Sequence, residues 1–339
     1  MSHSLLIEPG DLAPRLDDPA IRVLDATVFL EPAETGYRAV SGLDRYREGH
    51  VPGAAFMDLI RTFSNTTSGL GFTRPSPAAL ANALGQLGIG SEHRVVVYSS
   101  GHMMWATRAF WLLRYAGHGQ VSVLNGGLRG WRDSGGAIAR GDATYPPTTF
   151  EATPRPEVFV DLAETRDAIN DSAVCTVNAL SPEVYAGTGD MHYGRRGHIP
   201  GSRNLHYDRL MDGQRFRPLG ELREALNDTG MLAAPRVITY CGGGISATVD
   251  AFACLLAGKA EVAVYDGSMS EWVRDPALPL TTGAAPERRS APPLQWERIS
   301  SVGAISRSRT PAGSGGVGPR RAAADKHFAS RRRQRGRTG

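Results

Sequence analysis

The sequence contains no long run of apolar residues. Hydrophobic residues fill 41% of its 339 positions, but no run approaches the roughly 18 residues that a membrane-spanning helix needs. The first residues, MSHSLLIEPGDLAP, also lack the basic segment and apolar core of a secretory signal. These absences argue against a secreted or membrane-embedded protein, so a cytoplasmic location is expected.

Cysteine is scarce. Cys175, Cys241 and Cys254 are too few for a disulfide framework, and their spacing is not that of a metal site. A reducing compartment fits this composition. The residues therefore imply neither a metal nor an organic cofactor.

Negative charge is scarce at the C-terminal end. Residues 284–339 contain 13 Lys and Arg against 3 Asp and Glu, or +10, which leaves −6 for residues 1–283 of a chain whose net charge is +4. This tail is rich in Gly, Ser, Pro and Arg and lacks hydrophobic periodicity, so it is predicted to be disordered. Its arginines suit contact with nucleic acid or acidic surfaces. A solvated tail without a specific partner is the simpler interpretation.

The chain contains an internal repeat, in which three segments of the first half recur in the same order in the second. The matched pairs are EGHVPGAAFMDLI (48–60) with RGHIPGSRNLHYDRL (196–210), RVVVYSSGHMMWATRAFWLLRYAG (94–117) with RVITYCGGGISATVDAFACLLAG (236–258), and VSVLNGGLRGW (121–131) with VAVYDGSMSEW (262–272). The repeat predicts two copies of one structural unit.

Each copy alternates short apolar runs with helical patterns. RVVVY and RVITY are typical of strands buried on both faces of a parallel sheet, and the helical stretches after them end at Gly117 and Gly258. This alternation predicts an α/β fold with right-handed crossovers. The predicted organisation is a first domain at 17–143, a proline-rich linker at 144–160, a second domain at 161–283 and the tail at 284–339.

Cys241 is the candidate for chemistry. It follows a predicted central strand, where open α/β sheets bind ligands, and three glycines come directly after it. Without side chains the backbone can curl and point successive N–H groups inward as an anion site, with the positive end of the next helix behind it. Such donors stabilise a thiolate over a thiol. Cys175, in a strand, and Cys254, on an apolar helix face, are interpreted as packing residues.

Several kinds of thiolate chemistry fit poorly. A cysteine phosphatase needs an arginine six residues after the nucleophile, and that position is Ala247. Dithiol exchange needs a CxxC pair, which is absent, and no histidine or asparagine lies beside the loop as in papain-like proteases. The remaining chemistry is that of a thiolate that accepts a single atom and holds it as an anion. A persulfide, Cys–S–S⁻, fits this description.

These motifs resemble those of the tandem-domain rhodaneses, the thiosulfate/3-mercaptopyruvate sulfurtransferase family. The resemblance covers about residues 17–283 and rests on GHVPGAA, GHIPGS, YCGGGIS, YDGSMSEW and LNGGLRGW. It implies two rhodanese-like domains, each with a five-stranded parallel sheet flanked by helices. It also implies that the catalytic cysteine lies only in the second domain, at the start of a six-residue loop. In this sequence the loop is Cys241, Gly242, Gly243, Gly244, Ile245 and Ser246. The equivalent segment of the first domain, 99–104, starts with Ser99, which implies a catalytically inactive copy.

The substrate loop departs from the family pattern. Members that prefer thiosulfate carry basic residues after the cysteine, and members that prefer mercaptopyruvate usually read CGSGVT. Here Gly242 and Gly243 supply neither a cation nor a serine, and Val184 stands where the family has a substrate-binding arginine. Arg195 and Arg196 are candidates for the missing positive charge.

The predicted function is transfer of a sulfane sulfur from thiosulfate or 3-mercaptopyruvate to cyanide or a thiol through a persulfide on Cys241. The substrate-binding candidates are Gly242 to Ser246 with Arg195 and Arg196, and no metal is involved. The alternative is a degenerate module that binds or carries sulfur without efficient turnover. A third interpretation, from outside enzymology, is nucleic-acid binding through the tail.

Overall fold

Two parallel five-stranded sheets dominate the computed structural model, which describes residues 4–33 and 36–284. The first sheet has the strand order β1-β7-β6-β2-β5 and the second β10-β9-β13-β14-β8. Their strands are β1 (Leu6–Ile7), β2 (Ile21–Asp25), β5 (Ala55–Phe56), β6 (Arg94–Tyr98), β7 (Val121–Leu124), β8 (Phe159–Val160), β9 (Val174–Asn178), β10 (Arg203–Asn204), β13 (Arg236–Tyr240) and β14 (Val262–Tyr265). The predicted pair of parallel sheets is confirmed.

Helices cover the faces of both sheets, as the alternating pattern predicts. They are α1 (Pro9–Leu12), α2 (Leu43–Glu48), α3 (Pro77–Gln86), α4 (Met104–Tyr115), α5 (Gly127–Asp133), α6 (Leu162–Asp167), α7 (Pro182–Ala186), α8 (Leu219–Asp228), α9 (Ala247–Leu256) and α10 (Ser268–Trp272). Gly117 and Gly258, just beyond α4 and α9, have φ values of 92° and 90°, a conformation that glycine adopts at helix ends. None of the helices in these described residues is long and apolar enough to cross a membrane.

Two antiparallel hairpins supplement the sheets. β3 (Val28–Pro32) pairs with β4 (Tyr37–Ser41), and β11 (Met211–Asp212) pairs with β12 (Arg215–Phe216). Their chain direction reverses within a few residues, which antiparallel strands allow and parallel strands do not.

The two domains share one hydrophobic core. The largest cluster of buried residues contains Val95 and Val97 from the first sheet, Val237 and Val264 from the second, and much of α4 and α9. The rings of Phe110 on α4 and Phe252 on α9 meet edge to face at 4.8 Å. Smaller clusters on the other faces of the sheets are anchored by Trp131 and Trp272. Burial between α4 and α9 therefore joins the domains.

Both sheets take an edge strand from outside the predicted domain limits. Leu6–Ile7, ahead of residue 17, pairs with β7, and Phe159–Val160, at the end of the predicted linker, pairs with β14. Strands of two residues are too short to produce a hydrophobic pattern, so the sequence does not reveal them. The linker backbone also bonds to the first domain, where Thr153 N donates to Ala116 O at 3.0 Å. Of the predicted disordered tail, residues 285–339 lie outside the described residues.

Candidate active site

Cys241 follows directly after the central strand β13 and is 2% exposed. Its backbone N–H donates to Ser268 Oγ at 3.1 Å, and its carbonyl accepts from Met269 N at 3.0 Å. The next carbonyl, that of Gly242, accepts from Ser270 N at 2.8 Å. These bonds to the start of α10 fix the first turn of the loop and turn its carbonyls away from the loop interior.

The backbone N–H groups of residues 242–246 are unpaired. None of them donates a hydrogen bond to another of the residues that the structure describes, and α9 begins at the next residue, Ala247. Consecutive free N–H groups ahead of a helix form an anion site, because their partial positive charges converge. This matches the donor ring expected around Cys241.

In the equivalent loop of the first domain, three of the five corresponding amides are paired with side chains. Ser100 N donates to Thr27 Oγ1 at 2.7 Å, and Gly101 N donates to Ser99 Oγ at 3.0 Å. Met104 N donates to His102 Nδ1 at 3.0 Å. Protein side chains thus occupy three of the five donor positions that the second domain leaves free.

Two of the three glycines are sterically required. A Cβ at Gly242 would overlap the phenol ring and hydroxyl of Tyr193. Gly244 has a φ of +75°, and a Cβ there would lie 2.5 Å from Asp266 O. The loop conformation therefore depends on contacts with Tyr193 and Asp266 as well as on its own sequence.

Tyrosines approach the nucleophile from outside the loop. Burial, followed by the nearby Cys241, raises the pKa of Tyr193 above its ordinary value. Burial, then Asp208 and Cys241, raises the pKa of Tyr207 to about 12. The ring of Tyr207 meets that of His102, from the first domain, edge to face at 5.0 Å. Both phenols keep their protons near neutral pH and can act as hydrogen-bond donors.

A buried ion pair connects the first domain to the loop. Arg108 on α4 is 1% exposed and contacts Asp266 Oδ1 at 2.8 Å. The same guanidinium donates to the carbonyl of Gly244 at 3.2 Å and to that of Phe72. Arg74 adds a second contact to Asp266, between Nη1 and Oδ2 at 3.2 Å. The carbonyl of Gly244 is thereby turned toward the first domain.

Asp250 is a buried acid on α9. It is 0% exposed, and neither carboxylate oxygen has a hydrogen-bond partner among the described residues. Burial and the nearby Cys241 raise its pKa well above the ordinary value, because a charged carboxylate would be unsolvated and would face a thiolate. Both effects favour the neutral form of Asp250 over the charged one.

Arg195 and Arg196, the two arginines predicted to bind substrate, form hydrogen bonds away from the Cys241 loop. Arg195 Nη1 donates to the carbonyls of Asp275 and Leu278, both at 3.0 Å. Arg196 donates to the carbonyl of Gly189. Neither guanidinium contacts the Cys241 loop within the described part of the chain, so their proposed role in substrate binding has no support from this geometry.

The remaining loop residues, Ile245 and Ser246, are buried, as is Cys254, whereas Cys175 is half-buried. Ile245 and Ser246 are 7% and 6% exposed, where the loop enters α9. Burial raises the pKa of both Cys175 and Cys254, which disfavours their reactive thiolates. This agrees with their interpretation as packing residues.

Sequence reasoning located the loop but missed its surroundings. Asp266 and Ser268 lie in the YDGSMSEW motif, which in the sequence carries the family resemblance but does not indicate contact with the Cys241 loop. Tyr193 and Arg108 lie far from Cys241 along the chain, and no local pattern marks them as neighbours of the loop.

Comparison with known proteins gives consistent matches. The Rhodanese-like domain family model matches residues 8–134 and 162–275. A probable 3-mercaptopyruvate sulfurtransferase of Pseudomonas aeruginosa is 33% identical over 291 residues, covering 84% of this chain and 100% of the relative. A thiosulfate sulfurtransferase of Cricetulus griseus is 34% identical and covers 75% of this chain and 85% of its own. The crystal structure of the 3-mercaptopyruvate sulfotransferase SseA from Escherichia coli superposes with a TM-score of 0.70 at 29% identity, covering 78% of this chain and 98% of that one.

Proposed function

Because the chain belongs to the rhodanese family as a tandem-domain sulfurtransferase, we propose that it transfers sulfur through a persulfide on Cys241. The observation that carries this proposal is the row of unpaired N–H groups at residues 242–246 beside a buried thiol. Such donors stabilise an anion, and a persulfide is an anion whose charge lies one bond beyond the cysteine sulfur. The first domain has Ser99 and occupied amides at this point, so it takes a structural role.

The first half-reaction loads the cysteine. With thiosulfate, the Cys241 thiolate attacks the outer sulfur, a new S–S bond forms, and the old S–S bond breaks as sulfite leaves with the electron pair. With 3-mercaptopyruvate, the C–S bond breaks instead, and the carbon released takes up the thiol proton to give pyruvate. These are the donors named for the relatives, and both reactions balance without an external oxidant.

The second half-reaction removes the sulfur atom from Cys241. A thiophilic acceptor, cyanide or a thiol, attacks the terminal sulfur, and the S–S electron pair returns to Cys241 as thiolate. Donor and acceptor thus react in turn at one sulfur atom, which predicts ping-pong kinetics.

The mass of the intact protein tests the persulfide directly. After incubation with thiosulfate or, separately, 3-mercaptopyruvate, the wild type should gain one sulfur atom and lose it on addition of cyanide. Cys241→Ser should gain none, because a serine hydroxyl is not ionised at neutral pH. Cys254→Ser is the matched control and should load normally, since Cys254 is buried within α9. Sulfur uptake by the Cys241→Ser variant would contradict the mechanism.

A second candidate is a module that binds or carries sulfur with little turnover. It is favoured by the absence of a free cation at the expected positions: Val184 is uncharged, Arg195 and Arg196 bond to other carbonyls, and Arg108, which contacts the loop at the Gly244 carbonyl, is paired with Asp266. A steady-state assay with cyanide separates the two functions. Continued thiocyanate production identifies an enzyme, and release of a single equivalent identifies a carrier.

A further inference from the structure

An unpaired phenol hydroxyl lies against the loop of the proposed nucleophile. Tyr193 belongs to the segment between α7 and β10, and its ring and hydroxyl fill the space that a Cβ of Gly242 would occupy. This hydroxyl makes no hydrogen bond to any residue in the ranges that the structure describes. Tyr193 is half-buried, and its hydroxyl is not among the fully buried atoms that lack a partner, so the hydroxyl is accessible and free to donate to a ligand.

The hydroxyl also lies within the electrostatic reach of the thiol. Cys241 is the largest charged influence on Tyr193, and it acts on Tyr207 as well. In both cases the negative sulfur opposes ionisation of the phenol, which thus stays protonated as a donor. Tyr193 belongs to the second domain, and its hydroxyl lies against Gly242, the residue that follows the nucleophile Cys241.

The arginines that could take this role are bound elsewhere, and Arg108, which contacts the loop at the Gly244 carbonyl, is paired with Asp266. Gly242 and Gly243 have no side chains, and the guanidiniums of Arg195 and Arg196 are bound to backbone carbonyls. Tyr193 therefore offers the loop at Gly242 a neutral hydroxyl donor rather than a charged one.

We propose that Tyr193 is a catalytic residue whose hydroxyl donates a hydrogen bond to the sulfur atom transferred to Cys241; this rests on the persulfide proposed above. As the thiolate attacks, the S–S bond to Cys241 forms, the bond within the donor breaks, and negative charge collects on the terminal sulfur. The Tyr193 hydroxyl shares its proton with that charge without giving it up, so the leaving group takes its electron pair and no proton leaves the tyrosine. The loop amides and this hydroxyl surround the charge together.

A neutral donor of this kind selects for substrate charge. It stabilises the single charge of a persulfide but gives no long-range attraction to a dianion. The site is therefore suited to sulfur donors of low charge, and thiosulfate should be used less well than a singly charged donor. Since the hydrogen bond forms as charge develops, its loss should lower kcat and leave KM for the donor nearly unchanged.

Tyr193→Phe tests the inference, because it removes the hydroxyl and keeps the ring on Gly242. Persulfide formation is followed by rapid quench and intact mass, with 3-mercaptopyruvate as donor. We expect the loading rate to fall about 10²-fold, the loss typical of removing one donor to a developing anion, with an unchanged melting temperature.

Tyr185→Phe is the matched control. The Tyr185 hydroxyl donates to Ser202 O at 2.5 Å within the buried core, so its loss should lower the melting temperature and leave the loading rate unchanged. Wild-type loading in Tyr193→Phe would overturn the role of Tyr193 while leaving the persulfide mechanism intact. No sulfur uptake by the wild type would overturn the proposed function itself, and with it this inference.

Discussion

Two of the three glycines after Cys241 meet steric demands, and the two demands differ. Gly242 makes room for the Tyr193 ring, and Gly244 adopts a positive φ against Asp266. Gly243 meets neither demand, because its φ is not in the left-handed region and a Cβ there would have Gly71 O as its nearest neighbour, at an ordinary 3.8 Å. One of the three positions can therefore accept a side chain.

Gly243→Lys should improve the use of thiosulfate. A dianion approaching a thiolate experiences repulsion on the order of 4 kcal/mol per charge pair at 4 Å in a medium of effective dielectric about 20. A lysine beside the nucleophile offsets part of that repulsion, so kcat/KM for thiosulfate should rise about tenfold or more. The rise should be smaller for singly charged 3-mercaptopyruvate, and steady-state kinetics with both donors measures the difference.

Two controls separate charge from shape at this position. Gly243→Gln adds a long uncharged side chain and should not improve thiosulfate use. Gly244→Lys should damage the loop, because its Cβ would lie 2.5 Å from Asp266 O. Equal gains from lysine and glutamine at 243 would mean that repulsion does not limit the reaction.

At the scale of single residues, the sequence predicts the loop at Cys241 better than it predicts the distant residues that contact this loop. Cys241 and its glycines are adjacent in the chain, so a local pattern carries the anion site. Tyr193 reaches Gly242 only because the segment after α7 folds back over the end of β13. Such contacts depend on tertiary structure and leave no local periodicity.

The strands and helices that are long and buried can be predicted from the sequence. Five-residue strands such as β6 and β13 produce continuous apolar runs, and α4 and α9 produce helical periodicity. The two-residue edge strands β1 and β8 were not predictable, because their pairing partners, rather than their own residues, define them.

Helix α9 carries an acid that should make the fold sensitive to pH. Because burial raises the pKa of Asp250, the unfolded chain loses this proton at a lower pH than the folded chain does. The contribution of Asp250 to the free energy of unfolding is fully present below its ordinary pKa. It declines as the pH rises toward the pKa that Asp250 has in the folded state. The decline is about 1.4 kcal/mol per pH unit across that interval.

Asp250→Asn should remove this decline. The variant and the wild type should differ little in unfolding free energy near pH 4, and the variant should become progressively more stable in comparison as the pH rises from there toward the folded-state pKa of Asp250. Urea denaturation across this range measures the effect. Asp44→Asn, at a side chain that is 96% exposed, is the matched control and should follow the wild type. Parallel profiles for Asp250→Asn and the wild type would contradict the prediction.

At the scale of the whole molecule, the first domain completes the second. Arg108 on α4 reaches across to Asp266 and to the Gly244 carbonyl, and it is buried where it does so. The family resemblance implied an inactive first copy, and nothing in the sequence assigned that copy a contact with the loop. A contact between domains depends on how they pack, which a single sequence does not reveal.

Arg108→Ala should destabilise the protein by about 3 kcal/mol, because it leaves Asp266 buried with only Arg74 as an ionic partner. Arg108→Lys should recover part of this loss, since one ammonium cannot replace a guanidinium that contacts three groups. Urea denaturation measures both variants. Arg129→Ala, at an arginine that is 77% exposed, should cost less than 0.5 kcal/mol, on the order expected of surface pairs. A loss equally small for Arg108→Ala would show that the buried ion pair does not hold the domains.

The threonine hydroxyls of α4 and α9 meet at the domain boundary, with 2.7 Å between Thr107 Oγ1 and Thr248 Oγ1. In the internal repeat these two residues are counterparts, since ATRAF in the first copy matches ATVDA in the second. A residue that touches its own counterpart lies on a two-fold axis, as at the interface of a symmetric dimer. The two copies therefore meet across a local two-fold axis inside one chain, with the geometry of a symmetric dimer interface. Because the halves differ in sequence, this symmetry does not extend to the chemistry, and Cys241 in one half corresponds to Ser99 in the other.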